Sequence, residues 1–393
     1  MHVLESYALQ NDFKIDRPFV YEKFFPMAVE KFITIDTSSV GSSALIYDHW
    51  QIVVDLIHPY LEKEGVKIVQ LGNKECKLLK NCYTAIGQCN FNQKAYVITR
   101  SLVHVSPNNE SSHLASHYNK KSVVLFSNNS FPEQFLPYWT DEECLEILTP
   151  DTGNKPTFNP SENPKSINEI PPEKIALKIL NFLGVCGFSP KFQTVKIGPA
   201  FTQPRIESDL TNLVDPQKLS ISSIIVRMDL NFNEEALVKQ LEVCSCSVIT
   251  NRAFDLGILQ KYHERIVELV YYLEDDNSPD FIRTVKEKSI NYLLRSRKTE
   301  EETNGFKLDY MDYGLIHQIP QKTQNDFEEL KGKKKLHYKS NYFIIHDNKF
   351  YTSEAALRRG VHHTSSMQHE PFEIIDTPLF WEQYDHFHFL EEK

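Results

Sequence analysis

The polar segment 106–113 has the residue types and the position of a phosphate-binding turn. It joins an apolar run, which ends at Val105, to a stretch with helical spacing that begins near Ser112. Unpaired backbone N–H groups and the positive end of the dipole favour a phosphate at the start of a helix. The hydroxyl of Ser111 or Ser112 and the ring of His113 can donate to it. The alternative is structural: Asn or Ser caps the helix, and His113 forms a surface hydrogen bond.

Three acidic groups in the second half of the sequence are candidates for a general base, and the first two of them follow apolar runs. Asp229 follows Arg227 by two residues, the run 274–276 is wholly acidic, and Asp309 precedes Asp312 by three residues. A carboxylate can take the proton of an acceptor hydroxyl, and an arginine can balance a diphosphate. Each group has a structural alternative, since Arg227 can pair with Asp229 and the other carboxylates can cap or solvate turns. We predict Asp229 and Asp309 as the catalytic residues.

Other kinds of site are disfavoured by the composition. The chain has only 13 glycines and contains neither a GxGxxG nor a GxxxxGK[ST] pattern, so Gly-rich phosphate loops are not expected. The seven cysteines are scattered, and the closest pair, Cys244 and Cys246, lacks the spacing of zinc ligands. The histidines near the C-terminus also lack it. We therefore predict no metal site, and free thiols in a reducing compartment.

The charge balance of this 393-residue chain argues against a general polyanion binder. Lys and Arg total 43 and Asp and Glu total 53, which gives a net charge of −10. General nucleic-acid binding is thereby disfavoured. The first residues lack a basic stretch followed by an apolar run, and no window approaches the ~18–20 apolar residues of a membrane span. We expect a cytoplasmic protein without a membrane span, and nothing in the sequence indicates its oligomeric state.

The elements that must position these residues alternate between strands and helices. In the first half the patterns predict strands at 31–36, 66–71, 102–105 and 122–126, and helices at 47–63, from Asn90, at 113–118 and at 173–183. In the second half they predict strands at 194–197, 223–228, 246–250, 266–272 and 290–295, and helices at 233–241, 254–262 and 279–288. This alternation is typical of parallel sheets flanked by helices. The predicted fold class is α/β with two Rossmann-like parallel-sheet domains.

The sequence pattern also predicts four parts along the chain. Residues 1–30 are a lead-in helix with an extended segment, 31–185 are the first α/β domain, 186–325 are the second, and 326–393 are a small aromatic and His-rich module. Alternating apolar residues at 337–352, with Asp347 and Asn348 at the turn, predict a β-hairpin in this last module. A short helix at 353–359 follows it.

The order of the first-half elements resembles one known family. Trp50 lies on the first helix of the predicted domain, Gly72 follows its second strand, and His113 begins the sequence His-Leu-Ala-Ser. From Phe32 to Trp139 this order resembles the nucleotide-sugar-binding half of glycosyltransferase family 9, the ADP-heptose heptosyltransferase group. Members of that family have GT-B architecture, so the resemblance implies a GT-B-like arrangement of the two domains.

The resemblance implies a metal-independent transfer of a sugar from a nucleotide-diphosphate sugar to a glycan or another hydroxyl acceptor. No further cofactor is implied. A carboxylate of the second domain, Asp229 or Asp309, would act as the base. The residues implied to bind the donor are Gly72, Asn108, Asn109, Ser111, His113 and Arg227.

Three departures from the family pattern keep other functions open. Asn108-Asn109-Glu110 stands where the family has D-S-G, Asp48 where it has lysine, and Gly87-Gln88-Cys89 where it has G-x-T. The donor-like half also comes first, so the second domain either replaces the acceptor half in permuted order or is a new appended domain. One alternative is a non-catalytic binding or structural protein on a transferase-like scaffold. Another is a nucleotide-sugar epimerase.

Overall fold

Two α/β units make up the chain, and each has a sheet and an apolar core of its own. The first contains Met1–Ile197 with Glu392–Lys393, and the second contains Gly198–Glu391. The computed structural model describes residues 1–39, 41–150, 155–162, 165–198, 200–201, 205–219, 221, 223–274, 278–319, 328, 330, 332–363, 372–373 and 377–393.

A six-stranded parallel sheet organises the first unit. Its strands are β1 (Phe32–Asp36), β2 (Lys67–Leu71), β3 (Tyr83–Thr84), β4 (His104–Pro107), β5 (Ser122–Leu125) and β6 (Leu145–Leu148). The helices are α1 (Val3–Gln10), α2 (Trp50–Lys63), α3 (Phe91–Arg100), α4 (Glu110–His117), α5 (Pro132–Phe135) and α6 (Pro172–Phe182), and strand β7 (Phe192–Ile197) follows them. The strands of the sheet lie in the order β3-β2-β1-β4-β5-β6.

Helix α2 forms because its apolar residues recur at steps of three and four. Trp50, Val53, Val54, Ile57 and Leu61 thereby share one face, and all five are buried in the core of the first unit. Burying one large apolar side chain stabilises a fold by about 1.5–3 kcal/mol, so this stripe is sufficient to fix the helix on the sheet. The helix predicted at 47–63 is confirmed.

The second unit contains a larger mixed sheet. The strands in this part of the chain are β8 (Arg205–Ser208), β9 (Ile224–Arg227), β10 (Cys246–Thr250), β11 (Ile266–Tyr272), β12 (Asn291–Ser296), β13 (Ile316–Gln318), β14 (Leu336–Ser340), β15 (Tyr342–His346), β16 (Lys349–Tyr351), β17 (Phe372–Glu373) and β18 (Phe387–Glu392). Its helices are α7 (Glu234–Val243), α8 (Leu256–Tyr262), α9 (Pro279–Glu287), α10 (Glu300–Tyr310), α11 (Glu354–Arg359) and α12 (Pro378–Glu382). Eight strands form one sheet in the order β13-β12-β11-β10-β9-β8-β15-β16.

The predicted fold class is confirmed by these two sheets. In the second sheet β8–β13 and β15 run parallel, and only β16 is antiparallel to its neighbour. Helices separate most successive parallel strands in both units, as the alternation in the sequence predicts. Both units are therefore Rossmann-like α/β structures.

The predicted C-terminal hairpin exists, but it belongs to the large sheet of the second unit. β15 and β16 are joined by Asp347 and Asn348, which both have positive φ, as a tight hairpin turn requires. β15 also pairs in parallel with β8. Residues 342–345 are buried without alternation, which is typical of a strand inside a sheet rather than at the surface of a small module. The strand β14, inside the predicted hairpin, pairs instead with β17 and β18. The four-part domain division itself stays a prediction.

His104 on β4 is a fully buried titratable group in the sheet of the first unit. Its Nδ1 lies 2.9 Å from the hydroxyl of Thr34, and its Nε2 lies 3.1 Å from the hydroxyl of Ser106. Burial lowers the pKa of His104 from 6.5 to about 4, although the charge of Asp36 opposes this shift. The folded unit therefore holds this ring neutral at a pH where the unfolded chain binds a proton.

We predict that His104 makes the first unit less stable as the pH falls from 6.5 toward 4. Only the unfolded chain takes up this proton in that window, so the free energy of unfolding decreases there as the pH falls. Well above a pH of 6.5 neither state binds the proton, and His104 adds no pH dependence. The loss attributable to His104 between a pH of about 7.5 and about 4.5 is about 2–3 kcal/mol. His104→Gln removes this part of the pH dependence. Urea unfolding in a Trp381→Phe background measures it, since Trp50 and Trp139 then report on the first unit alone.

The matched control is His58→Gln on α2, at a half-buried position. It should leave the pH dependence of unfolding in place. An equal pH dependence in the His104→Gln variant and the unmodified chain would show that the buried ring is not responsible.

Candidate functional site

The carboxyl ends of β1 and β4 meet where the strand order of the first sheet reverses. From β1 the chain proceeds to β2 on one side, and from β4 it proceeds to β5 on the other. In open α/β sheets a crevice forms at such a point, and ligands bind there. Asp36 ends β1, and Asn108 and Asn109 directly follow β4. The predicted phosphate turn therefore lies at the position that the fold offers to a ligand.

Asp36, which no sequence motif singled out, connects the loop after β1 to the start of α4. Its side chain is fully buried. Oδ1 accepts hydrogen bonds from the backbone N–H of Ser38 at 2.9 Å and from its hydroxyl at 2.5 Å. Oδ2 accepts a hydrogen bond from the hydroxyl of Ser111. A carboxylate at the end of an apolar run was the available signal, but the sequence does not reveal which strand ends meet.

Lys94 on α3 balances the charge of this carboxylate. Its Nζ lies 3.5 Å from Oδ2 of Asp36 and 2.6 Å from Oε1 of Glu110, and the residue is only 5% exposed. Burial lowers the pKa of Lys94, but the charges of Asp36 and Glu110 outweigh burial and raise the pKa above its ordinary value. Lys94 thus stays protonated between the two carboxylates.

The start of α4 differs from the prediction and follows the structural alternative in part. The helix begins at Glu110 rather than near Ser112, because Asn109 is its N-cap. Asn109 Oδ1 accepts from the backbone N–H groups of Ser111 at 2.9 Å and Ser112 at 3.2 Å. Asn109 Nδ2 donates to the backbone carbonyl of Ser38 at 2.8 Å. Two N–H groups that the sequence offered to a phosphate are therefore already bonded.

Asn108 and Gly72 line the outer part of the same edge. Asn108 is half-buried, and its Oδ1 lies 3.5 Å from the hydroxyl of Ser112. Gly72 follows β2 with a φ of 151°, a conformation that other residues rarely adopt. A Cβ at this position would lie 2.9 Å from Sγ of Cys76. Gly72 thus lets the loop after β2 approach closely, and its role in ligand binding stays a prediction.

His113 lies one helical turn farther along α4 and lines a cavity of about 570 Å³. Residues of α1, the extended segment 13–20 and α4 surround this cavity. The ring is accessible from the cavity, and the surrounding protein atoms lower the pKa of His113 below its ordinary value, with a further contribution from His2. His113 is thus near the predicted turn, whereas the hydrogen bonds to Asp36 come from Ser38 and Ser111.

We predict that Asp36→Asn destabilises the first unit by about 3 kcal/mol, because Lys94 then stays buried with only the partly exposed Glu110 as partner. Removing that ammonium as well, in Asp36→Asn with Lys94→Met, should recover part of the loss. Urea unfolding of the single and double variants measures the coupling between the two residues. The matched control is Glu22→Gln, which breaks the more exposed pair with Arg100 and should cost no more than about 1 kcal/mol. Additive losses in the double variant would contradict the account.

In the second unit, the predicted residues Arg227 and Asp229 lie together at the carboxyl end of β9. The guanidinium of Arg227 donates to both carboxylate oxygens of Asp229, at 2.7 and 2.8 Å. It also donates to Glu207 at 2.5 Å and to Glu354 at 2.6 Å. The residue is 3% exposed. This is the pairing considered as the structural alternative, and it commits the guanidinium to protein carboxylates.

One further cation, Arg205, and one hydroxyl group, that of Tyr342, complete this buried network. Arg205 Nε lies 2.5 Å from Glu207, and the hydroxyl of Tyr342 donates to the same carboxylate at 2.5 Å. Burial raises the pKa of Glu207, but the charges of Arg227 and Arg205 outweigh burial and leave its pKa below the ordinary value. The two guanidiniums therefore stabilise the charged form of Glu207.

More exposed polar groups line the neighbouring strand ends of the second sheet. Arg297, after β12, lies 3.7 Å from Asp229 and 3.9 Å from Glu274, and Asn251 Nδ2 donates to Glu274 at 3.0 Å. Of the acidic run predicted as a candidate, Glu274 is described and lies after β11, whereas Asp275 and Asp276 lie outside the described residues. These groups share the carboxyl edge with the Arg227 network.

Asp309 lies elsewhere, on the exposed surface near the end of α10. That helix connects the parallel strands β12 and β13, so it runs against them and its last turn lies toward the amino ends of the strands. The structure thus brings Asp229 to the expected carboxyl edge and does not bring Asp309 there. Its catalytic role stays a prediction that this placement does not favour.

Comparisons with known proteins give only weak likenesses. No protein-family profile and no curated protein sequence matches the chain. Among solved structures, ADP-heptose lipopolysaccharide heptosyltransferase II from E. coli is similar, with 16% identity and a TM-score of 0.32, over 46% of this chain and 50% of that chain. A glycosyl transferase family 9 protein from Veillonella parvula DSM 2008 has 12% identity and a TM-score of 0.31, over 40% and 47%.

A third similar structure is UDP-GlcNAc 2-epimerase from Methanocaldococcus jannaschii, with 10% identity and a TM-score of 0.20, over 76% of this chain and 92% of that chain. The chain thus spans about half of each transferase that it resembles. At these TM-scores the likenesses add nothing to what the strand order already shows about the fold.

Within the described residues, no group of three or more His, Cys, Asp or Glu side chains is arranged to hold a metal ion. Nor is any helix there long and apolar enough to cross a membrane.

We predict that Arg227→Met destabilises the second unit by about 3–5 kcal/mol, because it leaves Glu207, Asp229 and Glu354 buried without their shared cation. Hydrogen exchange of the β8 and β9 amides should become correspondingly faster. The control, Arg283→Met, removes an exposed guanidinium from α9 and should leave these amides unchanged. Equal protection in the Arg227→Met variant and the unmodified chain would contradict the account.

Proposed function

We propose that this chain binds a nucleotide-diphosphate sugar at the carboxyl ends of β1 and β4 and transfers the sugar to a hydroxyl acceptor. The observation that supports the proposal is the reversal of strand order between β1 and β4, with Asn108 and Asn109 following β4 at that point. The order of sequence elements from Phe32 to Trp139 agrees with it, since it resembles the donor-binding half of glycosyltransferase family 9.

The charges at this edge determine which protein groups can bind a diphosphate. Asp36 and Glu110 are balanced in part by Lys94, and Asp36 is out of reach of solvent. A diphosphate would therefore meet the amide of Asn108 and the backbone around Gly72 rather than a cluster of arginines. Hydrogen bonds from neutral groups would hold it, with a modest contribution from each.

A second candidate, nucleotide-sugar binding without turnover, is favoured by the state of Asp229. A general base must accept a proton from the acceptor hydroxyl. The Asp229 carboxylate is instead bonded through both oxygens to Arg227, and its side chain is 2% exposed. The carboxylate is thus held by Arg227 rather than presented to an acceptor hydroxyl. The two candidates share the same donor site and differ only in turnover.

Calorimetric titration with ADP-, UDP- and GDP-sugars tests the shared donor site. We predict saturable binding of at least one of them, which Asn108→Asp weakens by about tenfold or more. The substitution keeps the size and the acceptor oxygen of the side chain but adds a negative charge beside the diphosphate, and a tenfold loss corresponds to about 1.4 kcal/mol. The matched control is Asn304→Asp on the exposed face of α10, which should leave the affinity unchanged.

Two outcomes separate the candidates and the failure of both. Transfer of labelled sugar to a mixture of glycan acceptors supports the transferase, whereas binding without any labelled product supports the non-catalytic protein. If none of the nucleotide sugars binds, or if Asn304→Asp weakens binding as much as Asn108→Asp, the donor site is not where we propose it.

A further inference from the structure

The cavity beside α4 begins at the predicted donor turn. Glu110, the first residue of α4, directly follows Asn109 and lines the cavity, and His113 and His117 line it from the same side of the helix. His113 lies three residues beyond Glu110, which is about 5 Å along the helix axis. The volume of the cavity, about 570 Å³, is within the range of about 300–1,000 Å³ that small-molecule sites occupy.

Aromatic rings form much of the wall of this cavity. Tyr138 and Trp139 contribute two rings whose centroids are 4.9 Å apart and whose planes meet at 85°. A planar ligand that stacks on one of these rings meets the other edge-on, which is a favourable arrangement for both contacts. Flat rings at right angles suit a flat ligand better than a flexible aliphatic chain.

Other aromatic side chains that line the cavity remain exposed. Tyr7 is 60% exposed, Phe13 is 63% exposed and Phe91 is 46% exposed. Helix α1 is thus largely unburied, since only Ala8 of that helix is buried. Exposed aromatic rings gathered around one cavity are typical of a binding site rather than of a core.

His113 supplies the polar recognition element within these apolar walls. Neither ring nitrogen of His113 forms a hydrogen bond within the described chain, and the neutral imidazole has one donor and one acceptor. The edge of a nucleobase also presents donors and acceptors side by side. A ring that stacks on Trp139 can therefore offer its edge to His113.

From these observations we infer that the cavity holds the nucleobase of the nucleotide sugar, with its diphosphate at the carboxyl ends of β1 and β4. The inference rests on the proposed function, and it adds the subsite that distinguishes one nucleotide from another. His113 is then a specificity residue for the base, and Tyr138 and Trp139 are its stacking platform.

Tryptophan fluorescence with adenosine, guanosine, uridine and cytidine tests the subsite without diphosphate or sugar. At least one nucleoside should quench the emission saturably. Trp139→Phe should abolish the quenching while calorimetry still detects binding, and the control Trp381→Phe, in the second unit, should preserve it. His113→Phe keeps a ring but removes both nitrogens, and it should weaken binding about tenfold and reduce the preference among the bases.

Several results would overturn the inference. The first is that none of the four nucleosides quenches the emission saturably. The second is that hexanoate, a flexible aliphatic chain, quenches it and the nucleosides do not. The third is that quenching by a nucleoside persists in the Trp139→Phe variant. Titration with intact nucleotide sugars separates this failure from that of the proposed function. If Asn108→Asp weakens their binding but His113→Phe does not, the donor site stands and the base subsite falls. If nucleosides bind in the cavity and no nucleotide sugar binds, the cavity stands and the proposed function falls.

Discussion

A carboxylate without access to water must be neutralised where it stands, and Asp36 places this constraint on the first unit. Lys94 from α3 supplies the cation, Ser111 from α4 supplies one donor, and Ser38 supplies two more from the following loop. Three elements around β1 are thereby held in one arrangement. The loop after β1 and the start of α4, which form the candidate donor site, depend on this single buried charge.

The second unit also depends on a buried charge, but the central group there is a cation. Arg227 lies among Glu207, Asp229 and Glu354, so one cation holds the ends of β8 and β9 and the start of α11. Groups committed in this way are unavailable to a ligand, which changes how the predicted site residues are interpreted. Side chains that face outward, Asn108 and His113 above all, are the better candidates for ligand contact.

The sequence predicted most strands and helices, but not which of them lie side by side in the structure. The periodic stripe of α2 and the continuous apolar runs of β1 and β2 are patterns within short stretches of sequence. Both the elements and the α/β class were therefore predictable. Strand order is a long-range property, so nothing local indicated that Asp36 lies beside Ser111. The start of α4 was misplaced because Asn109 competes with the serines as a cap, and β15 was assigned to a separate module because its partner β8 lies far away in sequence.

The central claim is that a nucleotide binds along the start of α4, with its diphosphate at the reversal of strand order and its base in the aromatic cavity. A crystal structure of the chain soaked with a nucleoside diphosphate tests it most directly. The account predicts density for the diphosphate beside Asn108 and for the base between Trp139 and His113. Density at the carboxyl edge of the second sheet, beside Arg297 and Glu274, with none along α4, would contradict it.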